Sequence, residues 1–156
     1  MQLISNSTVT ELATLLIPID GKNLILPNVS VAEILDYHAP ESEEDGPTWH
    51  LGNLKWRTLT VPLVSFEAVN DQPFFSQMET TKIAIINGIS NNDVLPFWGL
   101  IAQGSPRLMR IGAEEVVEDH SLSTGPAEVM AVSVNGESAR IPNLEWIEKQ
   151  ILQHLS

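Results

Sequence analysis

Residues 52–63 read GNLKWRTLTVPL and carry the clearest structural signal in this chain. Gly52, Arg57 and Pro62 follow one another at intervals of five residues, between apolar runs. Apolar side chains recur at every second position from residue 59 to 63, which is the period of a half-buried β-strand. Proline has no N–H to donate, so Pro62 interrupts the hydrogen bonding of that strand. The stretch predicts a turn that presents Arg57 at the end of one strand and leads into a second.

The chemistry of Arg57 favours protein recognition over catalysis, because a guanidinium cannot lose its proton near neutral pH. Two interpretations of Arg57 are open: an interface anchor, or a structural arginine paired with Glu33 or another carboxylate. Trp56 and Trp98 have the same ambiguity, since tryptophan serves both as a contact anchor and as core filling. For Trp98, the core role is favoured.

Composition indicates one globular domain with a strongly acidic surface. The 156 residues include 20 acidic and 8 basic side chains, for a net charge of −12. This balance disfavours binding to nucleic acids and to anionic membrane surfaces, which both require basic patches. The absence of cysteine excludes disulfides and thiolate metal sites. Neither an export signal nor an apolar run long enough to span a bilayer is visible, so we expect a cytoplasmic protein.

Short strands separated by turns are predicted over most of the chain. Asp20-Gly21 and Asn135-Gly136 are hairpin turn signals. Residues 40–47 contain no large apolar side chain and are expected to form a solvated loop. A turn is also expected at residues 91–93. Further strands are predicted at residues 12–19, 24–26, 29–34, 82–86, 95–102, 107–111, 129–134 and 138–141.

The last segment changes to a helical period. Its apolar residues recur at spacings of three and four, on Leu144, Ile147, Ile151, Leu152 and Leu155. Asn143 is a suitable N-cap for this helix. No strand pair has a helix-length connection, so a parallel βαβ sheet is not expected. The predicted fold is all-β with one helix packed against it.

Four blocks of sequence resemble the CheW-like chemotaxis adaptors. The family's central turn reads Gly, three residues, Leu-Arg-Gly, three residues, Pro, and residues 52–62 match its Gly, Arg and Pro. Residues 31–37, 99–104 and 141–144 resemble, in order, a Val-x-Glu-Ile segment, a Gly-Leu/Ile-Val-Val-Asp strand and the strand that feeds the C-terminal helix. The resemblance covers roughly residues 12–155.

The resemblance implies a fold, a set of partners and a set of site residues. The fold is two intertwined five-stranded SH3-like barrels related by a pseudo-twofold, with residues 12–156 as one domain and 1–11 as an N-terminal segment. The partners are a chemoreceptor's cytoplasmic tip and the regulatory domain of a CheA-type histidine kinase. No cofactor, metal, nucleic acid or small-molecule substrate is expected. The partner-binding residues are Arg57, Trp56, Asn53 and Glu33, and the structural positions are Gly52, Pro62, Gly99 and Gly104.

Two departures from the family pattern suggest a divergent branch. Thr58 replaces the glycine after the arginine, so a positive φ at that position would strain the turn. Trp56 replaces a leucine. Such divergence is similar to that of adaptors in chemosensory clusters for twitching motility and type IV pili, and it leaves open a domain that only competes for receptor sites.

Pro106, Arg107 and Arg110 cluster in a chain that is otherwise poor in positive charge. Two interpretations are open for this segment. It marks a second contact edge, or its charges keep an edge strand from pairing with a neighbouring molecule.

Enzymatic motifs are lacking. His38, His50, His120 and His154 are scattered and lack metal-pair spacing, so we expect surface histidines. The serines lack a nucleophile-elbow context, and no phosphate-binding glycine loop is complete. The alternative function is a ligand-binding or hydrolytic β-barrel with a pocket between its halves.

Overall fold

The computed structural model describes residues 11–42, 45–73, 81–90 and 93–155. The strands in these ranges are β1 (Leu12–Ile19), β2 (Lys22–Pro27), β3 (Val31–Asp36), β4 (His50–Trp56), β5 (Leu59–Val64), β6 (Lys82–Asn87), β7 (Phe97–Ala102), β8 (Arg107–Ile111), β9 (Val116–Glu118), β10 (Glu128–Val134) and β11 (Glu137–Pro142). The α-helices are α1 (Phe66–Val69) and α2 (Leu144–Leu155), and short 3-10 turns cover Asn28–Ser30 and Ala113–Glu115.

The strands form two sheets that interleave along the chain. The first barrel is the six-stranded sheet β8-β1-β2-β11-β10-β9, and the second barrel is the five-stranded sheet β3-β6-β7-β5-β4. The chain therefore begins the first barrel, builds the second, and returns to complete the first. The predicted fold class, all-β with two small barrels and a packing helix, is confirmed. The first sheet has a sixth strand because β9, which the sequence pattern did not indicate, pairs with β10.

Three apolar clusters form the core. The cluster inside the first barrel contains Leu16, Ile25, Ile111, Val132, Val134 and Ala139. The cluster inside the second barrel contains Leu54, Trp56, Val61, Leu63, Ile83, Ile85 and Ile101. The third, the interbarrel core, includes Leu15, Ile17, Leu24 and Leu26 from the first barrel, Val64, Ala84, Ile86, Trp98 and Leu100 from the second, and Ile147 and Ile151 from α2.

Strands near the middle of the molecule are buried on both faces. On β1, Leu16 points into the first barrel and the next residue, Ile17, points into the interbarrel core. On β6, Ile85 and Ile86 divide in the same way between the second barrel and the interbarrel core. Each buried leucine or isoleucine stabilises the fold by about 1.5–3 kcal/mol. This two-sided burial makes the two barrels one packing unit.

The predicted hairpin turns are confirmed. Asp20 and Gly21 join β1 to β2, and Gly21 has a φ of 75°. Asn135 and Gly136 join β10 to β11 with φ values of 51° and 84°. Positive φ at both central residues is the mark of a type I′ turn, whose twist matches that of the flanking strands.

The structure differs from the sequence expectation at residues 40–47. The 40–47 segment is not wholly an unstructured loop, because Glu41 forms an isolated antiparallel bridge with Asn53 of β4. Residues 43 and 44, and residues 91 and 92 of the expected turn at 91–93, lie outside the described residues.

The C-terminal helix begins as predicted, since Asn143 Oδ1 accepts a hydrogen bond from the Trp146 amide at 3.0 Å.

Three buried carboxylates tie the elements together. Glu67 of α1 accepts a hydrogen bond from the Asp20 amide at 2.8 Å. It thus joins the helix that follows β5 to the β1–β2 turn. Glu148 of α2 accepts the Trp98 indole N–H at 3.0 Å and the Ile89 amide at 2.9 Å. Because buried charge is stable only when it is paired or hydrogen-bonded, these contacts fix the helices on the sheets.

Glu128 is the third buried carboxylate, and two of its partners are positively charged side chains. It forms ion pairs with Lys22 at 2.9 Å and with Arg140, and it accepts a hydrogen bond from Asn70 at 2.6 Å. Burial raises the pKa of Glu128, but the hydrogen bonds from Lys22, Arg140 and Asn70 lower it, and the net pKa lies below the ordinary 4.5.

We expect Glu128→Gln to lower the free energy of unfolding by about 3 kcal/mol at neutral pH, because Lys22 and Arg140 lose a buried partner charge. Since the folded pKa of Glu128 is depressed, its stabilisation is complete above the unfolded pKa and disappears as pH falls through the folded pKa. Urea unfolding at several pH values should therefore show the variant and wild type converging in acid. Glu137→Gln, at an exposed pair with Arg107, is the control and should cost less than about 1 kcal/mol; an equal loss in both variants would contradict the assignment.

Candidate protein-interaction site

Arg57 lies at the tip of the β4–β5 hairpin. Trp56 and Leu59 are paired across the two strands, so Arg57 and Thr58 form a two-residue turn. Arg57 has a φ of 54°, whereas Thr58 does not have a positive φ. This φ pattern matches a type II′ turn, in which glycine usually occupies the first central position. The backbone strain of a positive φ was expected at Thr58 but lies at Arg57 itself. Threonine can therefore replace the family's glycine at residue 58 without this strain.

The guanidinium of Arg57 is exposed but held in place. Its side chain is 65% exposed, and its Nη2 lies 3.5 Å from Oε1 of Glu33. The guanidinium carbon lies 4.3 Å from the centre of the Trp56 ring, a cation–π distance. Pairing at this exposure contributes about 1 kcal/mol or less to stability. The arginine thus remains available to another molecule while its orientation is restricted.

Trp56 supports this arrangement from the core. Its side chain is 5% exposed and its ring packs edge-on against Phe97, with centroids 4.8 Å apart. Its indole N–H donates to Glu33 Oε1 at 2.9 Å. Glu33 therefore bridges the buried indole and the exposed guanidinium. The burial of Trp56 leaves it little surface for a partner, so its contribution to the site is to position Glu33 and Arg57.

The first residues of the motif are fixed by the Glu41 bridge. Gly52 has a φ of 135°, and a Cβ at this position would lie 2.3 Å from the carbonyl oxygen of Glu41. Only glycine allows this close approach. Asn53 exchanges two backbone hydrogen bonds with Glu41, at 2.8 and 2.9 Å. Its backbone groups thus point away from Pro62, its partner on β5, and the missing N–H of Pro62 removes no bond between these strands.

Gly99 and Gly104 meet different packing demands. A Cβ on Gly99 would lie 3.1 Å from Leu63 Cδ1, so this glycine allows β7 to pack tightly beside β5. A Cβ on Gly104 would lie 3.4 Å from Pro18 Cγ, close to the limit of ordinary contact. Neither glycine lies at the β4–β5 turn, and both act on the packing of the barrels.

A second exposed feature lies where the interbarrel core reaches solvent. Leu108 of β8 is 59% exposed and pairs with Leu15, which belongs to the interbarrel core. Val29, in the turn between β2 and β3, is 80% exposed, and this turn contacts β1. We call Leu108 and Val29 the apolar edge. Arg110 shares the face of Leu108 because alternate residues of a strand point the same way.

The basic cluster of the sequence falls on this same edge strand. Among the described strands, β8 pairs only with β1 and forms one border of the first sheet. Arg107 makes an exposed ion pair with Glu137. The strand therefore combines an edge position among the described strands, positive charge and an exposed leucine, which is compatible with both sequence interpretations of the cluster.

The expectation of four scattered surface histidines is wrong for His50 and His154. His50 is 5% exposed, and its Nδ1 lies 3.0 Å from Nε2 of His154 in the last turn of α2. The two residues are 104 positions apart in the chain, so no local spacing signals the contact. His120, in contrast, is exposed beside Glu118.

The described residues offer little catalytic geometry. They contain no group of three or more histidine, aspartate or glutamate side chains arranged to hold a metal ion. Ser65 caps α1 by accepting the Ala68 amide, and Ser121 donates to Asp119. None of the helices in the described ranges is long and apolar enough to cross a membrane.

Comparison with known proteins agrees with this architecture. A family model described as the CheW-like domain matches residues 13–150. This chain belongs to the CheW-like family. No curated protein matches the sequence at a significant level.

The CheW-like fold is also seen in a solved structure. The chain is similar to the scaffolding protein TtCheW from Thermoanaerobacter tengcongensis, with a TM-score of 0.71 and 12% sequence identity. The match covers 84% of this chain and 88% of the other. At this identity the likeness establishes the shared fold, and the role of each site residue rests on the geometry above.

The turn geometry of this CheW-like domain can be tested with paired substitutions. Arg57→Gly and Arg57→Ala both remove the guanidinium, but glycine adopts positive φ without strain. We expect Arg57→Gly to be more stable than Arg57→Ala by about 1 kcal/mol. Thr58→Gly should be less stable than Thr58→Ala by about 0.5–1 kcal/mol, because no strain is relieved there. Chemical denaturation measures the free energy of unfolding of all four variants. If Thr58→Gly were more stable than Thr58→Ala, the positive φ would lie at residue 58 and not at Arg57.

Proposed function

We propose that this protein is a non-catalytic cytoplasmic adaptor that couples a chemoreceptor to a CheA-type histidine kinase. The observation that carries the proposal is the exposed guanidinium of Arg57, held on a short turn by Glu33 and Trp56. A charge that is already oriented loses less conformational entropy on binding than a free side chain does. A kinase regulatory domain with a carboxylate at the complementary position would gain both affinity and a fixed register. Membership in the CheW-like family supports this role.

An adaptor must contact two partners at once, and the molecule offers two separate surfaces. The first is the β4–β5 tip on the second barrel. The second is the apolar edge, where Leu108 lies exposed beside Leu15 of the interbarrel core and Val29 is exposed in the turn after β2. Exposed apolar side chains beside a polar surround suit an amphipathic helical partner. We propose that the receptor's cytoplasmic tip binds here, which leaves Arg57 for the kinase.

The alternative of a ligand-binding or hydrolytic barrel receives no support from the hollow in the first barrel. A hollow of about 270 Å³ opens at the end of the first barrel. Its lining is almost entirely apolar, with Thr14 as the only polar residue among those that border it. An enzyme site combines a cleft with several converging polar groups, and this hollow lacks them.

We expect Arg57→Glu to weaken binding of the host's CheA-type kinase regulatory domain by about 2–5 kcal/mol if the pair is desolvated, because attraction to a carboxylate becomes repulsion. The free energy of unfolding should change by less than about 1 kcal/mol, as is usual for an exposed site. Isothermal titration calorimetry and thermal melting on the same preparation separate the two effects.

Arg107→Glu is the matched control for this charge reversal. Arg107 is also an exposed arginine paired with a glutamate, but it lies on β8 of the first barrel. It should leave kinase-domain binding unchanged. Undiminished binding by well-folded Arg57→Glu would remove Arg57 from the interface. Binding of a receptor tip by wild type without any kinase binding would instead indicate a domain that only competes for receptor sites.

A further inference from the structure

A pair of histidines far from the β4–β5 tip joins the C-terminal helix to the start of β4. His50 Nδ1 and His154 Nε2 lie 3.0 Å apart, and the ring centroids are 4.9 Å apart at 69°. Trp49 packs beside both rings, with centroids 6.2 Å from His50 and 5.9 Å from His154. The adaptor role assigns no task to this cluster.

The spacing of the two nitrogens suits a metal ion as well as a shared proton. Imidazole nitrogens bind zinc at about 2.0–2.1 Å, so two ligands at roughly 90–110° around the ion lie about 2.9–3.4 Å apart. The observed separation of 3.0 Å falls in this interval. To bind one ion, the two imidazole rings would turn so that both lone pairs point at the same position.

Gly46 is the neighbour of the pair on the loop that leads into β4. An ideal Cβ at Gly46 would lie 3.6 Å from His50 Nδ1 and 3.6 Å from His154 Nε2. Gly46 therefore packs beside the pair and places no side chain against the two nitrogens.

A neighbouring amide orients the buried histidine. His50 Nε2 lies 3.2 Å from Asn53 Oδ1. When His50 Nε2 donates its proton to this oxygen, the lone pair of neutral His50 is on Nδ1, which faces His154. Metal-binding histidines usually have such an acceptor on their second ring nitrogen, since it fixes the tautomer and the ring orientation.

We propose that His50 and His154 form a two-histidine site for a divalent transition metal ion, bound through His50 Nδ1 and His154 Nε2. Imidazole ligands select ions such as Zn²⁺, Ni²⁺ and Cu²⁺ over Mg²⁺ and Ca²⁺. No larger cluster of metal-binding side chains occurs in the described ranges. A bound ion would fasten the last turn of α2 to the first residue of β4, and it would stabilise the folded state by mass action.

The test is calorimetric titration of untagged protein with Ni²⁺. Wild type should bind one equivalent, and His154→Gln, checked for folding by circular dichroism, should lose this saturable binding. His120→Gln removes an exposed histidine paired with Glu118 and should bind as wild type does.

Trp49 provides an independent readout of location. Bound Ni²⁺ should quench its fluorescence, and Trp49→Phe should abolish that part of the quench while it preserves the calorimetric equivalent. A thermal melt with Ni²⁺ should show a higher Tm for wild type than for His154→Gln. Absence of saturable binding in wild type, or equal binding by folded His154→Gln, would overturn the proposal and leave the pair as a structural hydrogen bond.

Discussion

The interbarrel core determines how every other part of this molecule is placed. Strands β1, β2, β6 and β7 bury both faces, one inside their own barrel and one against the other barrel. Because the chain leaves the first barrel after β2 and returns at β8, the first barrel is completed only after the strands of the second have been made. The β4–β5 hairpin inherits its rigidity from this shared packing, since Leu63 and Val64 of β5 pair with β7. A short turn on such a strand pair displays Arg57 with little freedom.

Buried carboxylates refine this packing at a cost that only full hydrogen bonding offsets. Glu128, Glu67 and Glu148 each accept hydrogen bonds from a different segment of the chain. At the exposed site a glutamate also accepts a hydrogen bond from a buried group, but its second partner is exposed. Glu33 accepts the buried Trp56 indole but pairs only loosely with Arg57. One acid thus connects the core to a charge that stays available for binding.

The sequence could predict the features that depend on near neighbours. Turn chemistry at Asn135-Gly136 and the apolar period of α2 are local, and both agree with the structure. Features set by distant contacts were missed. The positive φ at Arg57 depends on the hairpin register, and Trp56 occupies a core that strands β6 and β7 complete. The contact between His50 and His154 joins residues that no periodicity relates.

The most direct test of the adaptor account is a nuclear magnetic resonance titration of ¹⁵N-labelled protein with the host's CheA-type regulatory domain. The Trp56 indole N–H, which donates to Glu33 at 2.9 Å, is a sensitive reporter within the site. The account predicts that chemical-shift changes centre on this indole, on residues 56–59 and on Glu33, and leave β8 unaffected. Changes confined to β8 and the apolar edge, with an unperturbed indole, would contradict it.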